Sequence, residues 1–135
     1  MSLFDWRPEY SVSIQRFDCD HKKLISLLNE LNDAMAEKRG RLVVGHLLRD
    51  LADYSCSHFA AEEEAMCRAS YPGLSTHAAE HREFAKKLAE IQYEYAAGSS
   101  AVTIDLLYFL RDWVQRHILE SDHKYGTSLN QAGIY

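Results

Sequence analysis

Four stretches of the chain carry apolar residues in a 3-4 rhythm, and each marks the buried face of a helix. The first stripe is His21, Leu24, Ile25, Leu28, Leu31 and Met35; the second is Val44, Leu47, Leu48 and Leu51, with Tyr54 less central. His77, His81, Phe84, Leu88, Ile91 and Tyr95 form the third, and Leu106, Leu107, Leu110, Trp113, Val114 and His117 the fourth. Helices are therefore expected at about residues 18–38, 42–68, 75–97 and 101–124. Each break has a local cause. Gly40, after the basic Lys38 and Arg39, reads as a helix stop. Ser70-Tyr71-Pro72-Gly73 reads as a turn in which proline fixes φ and glycine is free to take a positive φ. Gly98-Ser99-Ser100 breaks the chain and recaps it. Asp18 and Asp20 favour the positive end of the first helix dipole. Residues 1–17 show no helical period, and Trp6, Pro8, Tyr10, Val12 and Ile14 suggest an extended arm packed on the body.

Connections this short make consecutive helices antiparallel neighbours. No alternating run of useful length suggests a strand. The expected fold class is all-α, an antiparallel up-down-up-down four-helix bundle with an extended N-terminal arm, formed as one domain over residues 1–135.

Composition narrows what such a bundle does. A net charge of −5 and a pI near 5.8 argue against nucleic acid or an anionic membrane as main partner, since both select a concentrated basic surface. Residues 1–17 lack the apolar core of a secretory signal and no apolar run approaches the ~18–20 residues of a membrane span, so a cytoplasmic protein is expected. Cys19, Cys56 and Cys67 are odd in number and have no CxxC spacing; they are expected to be small, inert and partly buried. No large apolar stripe is left over on the polar faces, so a monomer is expected. The unusual count is seven histidines.

Five of them fall at ordered places. His58 and Glu62 are four residues apart on one helix face, as are His77 and His81. In antiparallel helices the residues at one height come alternately from helix starts and helix ends. His21 lies near the start of the first helix, His58 and Glu62 near the end of the second, His77 and His81 at the start of the third, and His117 and Asp122 at the end of the fourth. All seven reach one end of the bundle. Burying five imidazoles and two carboxylates in a small core without a cation would leave many polar groups to satisfy one another. Nitrogen and oxygen donors without thiolates suit iron, manganese, zinc or copper, and this inventory is right for two metals. His46 and His123 fail the same placement and are expected to be solvated. His117 and Asp122, five apart, diverge by about 140° on a regular α-helix, which predicts a π-bulge or a break between them.

The pattern His21, His58-x3-Glu62, His77-x3-His81 and His117-x4-Asp122, with Trp113 four before His117 and Tyr125 three after Asp122, resembles the hemerythrin family over nearly the whole chain. The stand-alone bacterial form is the nearest in kind, and Trp6 in the arm is also of that type. The resemblance implies two iron ions per chain with an oxo or hydroxo bridge, and reversible binding of molecular oxygen. It places His77, His81 and His117 on a saturated iron, His21 and His58 on an iron with one open position, and Glu62 and Asp122 across both. Leu24, Ile25, Leu28, Phe59, Trp113 and Val114 are the candidate oxygen-pocket lining, and Val114 stands where relatives often carry a larger aliphatic residue. Expected roles are oxygen carriage, storage or transient delivery to an oxidase. A di-iron enzyme (peroxidase, ferroxidase or nitric-oxide-handling) and an oxygen or redox sensor are the alternatives. No further carboxylate or nucleophile falls at core spacing near the open iron, for Glu63 and Glu64 point away from Glu62, and this favours binding over catalysis.

Overall fold

The apolar stripes meet along the axis of the molecule, where Leu24, Leu28, Leu31, Leu47, Leu51, Ile91, Leu106 and Leu110 are wholly buried. The structure, a computed structural model, describes residues 3–135. Its long helices are α1 (Gln15–Ala36), α2 (Gly40–Arg68), α3 (Leu74–Ala96) and α4 (Val102–Trp113). The last runs on directly as a π-helix (Val114–Ser121), a 3-10 turn (Asp122–Tyr125) and a short α5 (Gly126–Gln131). α1 and α3 each pack on both α2 and α4, which closes an antiparallel up-down-up-down four-helix bundle. Among the described residues there is no strand, and no helix is long and apolar enough to cross a membrane.

A second apolar cluster closes one end. Val12, Ile14 and Phe17 pack there with Ala65, Met66, Tyr125 and Leu129. The arm and the tail therefore form a cap over the end where the helices bring their histidines.

Several boundaries differ from the sequence pattern, each for a tertiary reason. Residues 1 and 2 of the expected arm lie outside the described residues. The remainder is anchored rather than simply extended. Pro8–Tyr10 is a 3-10 turn, and residues 15–17 already belong to α1, because burial of Phe17 in the cap extends that helix by a turn. Asp18 reaches back to accept the Ser11 hydroxyl at 2.5 Å and the Val12 N–H at 2.8 Å. Asn29 accepts the N–H groups of Leu3 and Phe4 at 2.8 and 2.9 Å and donates to the Phe4 carbonyl at 2.7 Å. Gly40 is not the helix stop. Lys38 takes the left-handed conformation (φ 59°) and Gly40 begins α2, where a Cβ would lie 2.6 Å from Thr103 Cγ2. In the next turn Ser70, not Gly73, is left-handed (φ 53°). Tyr95, expected on the inner face of α3, is exposed, its hydroxyl lying over the bare backbone of Gly45. The three cysteines are all exposed, not partly buried. Cys19 and Cys56 each precede a buried histidine by two residues, about 200° round the helix, and so face outward.

Candidate metal centre

His21 (α1), His58 and Glu62 (α2), His77 and His81 (α3), His117 in the π-helix and Asp122 at the first residue of the 3-10 turn converge at one height. None is more than 4% exposed. The π-helix is what admits the last two. Its wider turn, closed by i→i+5 hydrogen bonds, returns residues five apart towards one face.

The seven fall into two overlapping sets whose donor atoms lie within 4.8 Å of one another: Glu62, His77, His81, His117 and Asp122 in one, and His21, His58, Glu62 and Asp122 in the other. Asp122 divides its oxygens between them. Oδ1 is 2.7 Å from His77 Nε2 and 2.9 Å from His117 Nε2, whereas Oδ2 is 3.0 Å from His21 Nε2. Glu62 Oε1 sits between His81 Nε2 at 3.1 Å and His58 Nε2 at 3.3 Å, and Oε2 lies 3.6 Å from His21 Nε2.

Short as these separations are, they do not satisfy the atoms. The Nε2 atoms of His21, His77, His81 and His117, Glu62 Oε1 and both Asp122 oxygens make no hydrogen bond among the described residues. A cation with bonds of about 2.0–2.2 Å to nitrogen and oxygen, at near right angles, sets its ligand atoms about 3 Å apart. The observed spacing is of that size. The residues present fit two cations.

An outer ring of carboxylates aims the imidazoles. Asp20 on α1 takes the His58 Nδ1–H at 2.7 Å, Glu63 on α2 that of His81 at 2.8 Å, and Glu80 on α3 that of His117 at 2.6 Å. A proton held on Nδ1 leaves the Nε2 lone pair free to bind metal. Sequence reasoning missed this role, although a signal was there: Asp20, Glu63 and Glu80 each stand directly beside a candidate ligand, His21, Glu62 and His81. A residue next to a ligand points about 100° away, towards the following helix, and meets its histidine. Glu63 does turn away from Glu62, as expected, yet still serves the centre. Tyr125, wholly buried, donates a hydrogen bond to Glu62 Oε2.

Electrostatics mark the place as short of positive charge. Burial pushes the His21 imidazolium down, but the Asp122 and Glu62 carboxylates outweigh it and hold the group up at about 10. The same balance holds His77 at about 9, and Glu62 with Asp20 raises His58. Burial pushes Glu62 up, yet its histidine neighbours, His58 foremost, take it well below the carboxylate range. Asp122, raised by burial and by Glu62, is pulled low by His117 and His21. The carboxylates thus favour the cationic form of His21, His58 and His77.

The family model of the hemerythrin HHE cation-binding domain matches residues 12–129. The chain belongs to the hemerythrin family. It is similar to the bacteriohemerythrin of Stenotrophomonas maltophilia (strain R551-3), 34% identical over 93% of this chain and 80% of that protein. It is also similar to that of Methylococcus capsulatus (Bath), 33% identical over 96% of this chain and 99% of that protein. A crystal structure of a hemerythrin variant with a leucine replaced by tyrosine superposes with a TM-score of 0.85, at 33% identity, over 96% of this chain and 98% of that one. Membership of the hemerythrin family implies a non-haem di-iron site, which accords with the donor set.

The expected oxygen-pocket residues belong to the apolar core or pack against it. Leu24, Ile25, Leu28, Phe59 and Val114 are buried in the main core and Trp113 packs against it. Phe59 stacks on His81 (centroids 3.9 Å apart, 6° between planes) and Trp113 on His117 (3.8 Å, 14°), so both rings cover the five-residue donor set. His46 lies on the outside, 3.1 Å from Glu30, and His123 is exposed.

Proposed function

We propose that the chain binds molecular oxygen reversibly at a di-iron centre held by His21, His58, Glu62, His77, His81, His117 and Asp122, and serves as an oxygen carrier, store or delivery protein. The observation that carries this reading is the inequality of the two donor sets, five residues against four around shared carboxylates. The four-residue half has a coordination position to spare. Two iron ions held by these residues would supply the two electrons that oxygen takes up on binding and returns on release.

The chain's own residues keep that exchange reversible. Glu62 and Asp122 span both halves, and Asp20, Glu63 and Glu80 orient three imidazoles while offsetting the positive charge that two buried cations bring. Tyr125 fixes Glu62. Leu24, Ile25, Leu28 and Val114 exclude water on the core side, and Phe59 and Trp113 shield His81 and His117. Five neutral imidazoles donate less negative charge than a carboxylate-rich set, which disfavours the high-valent states of oxygen cleavage and so favours binding over catalysis.

The test is metal analysis followed by anaerobic reduction, optical titration with oxygen, and flushing with argon. Two irons per chain and an oxygen-dependent visible band that disappears on flushing support the reading. Irreversible oxidation with turnover of an added reductant overturns it in favour of an enzyme.

A further inference from the structure

Tyr54 has no part in holding the centre, yet it lies against its less saturated half. It stands one helical turn before His58 on α2, its ring nearly parallel to that imidazole (centroids 5.1 Å apart, 19° between planes). It is 5% exposed and belongs to the same buried cluster as Leu24, Leu28, Leu51 and Val114. Its hydroxyl finds no hydrogen-bond partner among the described residues. The other unpartnered buried side-chain atoms among those residues belong to the candidate ligands, His21 Nδ1 included, apart from the hydroxyl of Thr103 beside Gly40. Tyr125, the other buried tyrosine of the region, has its hydroxyl engaged by Glu62.

A buried hydroxyl without a partner destabilises the fold, and phenylalanine would fill nearly the same space without that cost. The arrangement has a use when the missing partner arrives from outside. We propose that the Tyr54 hydroxyl donates a hydrogen bond to the exogenous ligand of the four-residue half, favouring small ligands that carry or gain negative charge and slowing their release. This rests on the di-iron reading above. Tyr54 is then a specificity-determining residue of an otherwise apolar pocket.

The experiment compares the iron-loaded wild-type chain with Tyr54→Phe, with Tyr125→Phe as control. Azide, a small linear anion, is titrated into the oxidised proteins, oxygen release is timed from the reduced ones, and thermal midpoints are taken with and without azide. Loss of a hydrogen bond to a charged acceptor makes azide binding roughly tenfold weaker in Tyr54→Phe, and oxygen release faster by a similar factor. Without azide, Tyr54→Phe melts at or above the wild-type temperature because an unmatched hydroxyl has been removed, whereas Tyr125→Phe melts lower. With azide the order of wild type and Tyr54→Phe reverses. Azide affinity within about twofold of a wild type that binds normally overturns the proposal, as does a lower azide-free midpoint for Tyr54→Phe, which would reveal a structural partner. Wild-type protein that takes up neither azide nor oxygen overturns the di-iron reading itself and this inference with it.

Discussion

Replacing Glu80 by glutamine measures what the outer carboxylates contribute. Glu80 accepts the His117 Nδ1–H at 2.6 Å through one oxygen and the Ser121 hydroxyl at 3.1 Å through the other, tying α3 to the π-helix. Glutamine keeps the shape and one acceptor oxygen but not the charge. A hydrogen bond to a charged group contributes about 1.5–3 kcal/mol and a neutral one about 0.5–1.5, so the substitution removes about 1–1.5 kcal/mol. The Glu80 side chain is 38% exposed, and solvent screening places the effect at the lower end. Metal affinity should fall roughly five- to tenfold, towards the weaker limit for outer carboxylates. The assay is equilibrium competition for metal against a chromophoric chelator, with helix content checked by circular dichroism. Affinity within about twofold of wild type would refute the reasoning. A loss beyond about a hundredfold would refute it too, since Glu80 would then be acting as a ligand.

Gly126→Ala should destabilise the chain by about 1–3 kcal/mol, because the new Cβ would lie 2.5 Å from the Val12 carbonyl oxygen, a backbone atom that cannot rotate aside; an unchanged melting temperature would count against this packing of tail on arm. Val114 is wholly buried, and Val114→Leu should narrow the pocket and slow both oxygen entry and autoxidation; stopped-flow rates equal to wild type would sink that expectation. In the metal-free chain His21, at about 10, and His77, at about 9, lie above their ordinary value of 6.5. Their contribution to stability is then complete below about pH 6.5 and is lost as pH rises through about 9 to 10. Melting temperature of the metal-free chain should fall over that range, and metal loading near pH 8 should release protons to an indicator dye; a flat profile with no release would contradict the assignment.

Much of the convergence was legible because candidate ligands four residues apart obey the same geometry as the apolar stripes. His58 with Glu62 and His77 with His81 each share a helix face, and the alternation of helix starts and ends put His21 and His117 at their height. The five-residue gap before Asp122 broke that geometry, and the break itself pointed to the π-helix over Val114–Ser121. Turn chemistry was less legible. Lys38 and Ser70, not Gly40 and Gly73, carry the positive φ, and Gly40 instead begins α2, where a Cβ would crowd the Thr103 methyl group.

The sequence alone determined most of the inward-facing stripes, the approximate places where the helices break, and which seven side chains reach one end of the bundle. All of these follow from the fixed angular step of a helix and the short length of its connections. Only the tertiary structure decided that Asp20 meets His58, Glu63 meets His81 and Glu80 meets His117, that the Tyr125 hydroxyl is engaged while that of Tyr54 is not, and that Asn29 and Asp18 hold down the arm. A hydrogen bond forms or fails within a few tenths of an ångström and a narrow angle. That depends on how far each helix is rotated and shifted against its neighbour, which the packing of the whole core sets and no local period records.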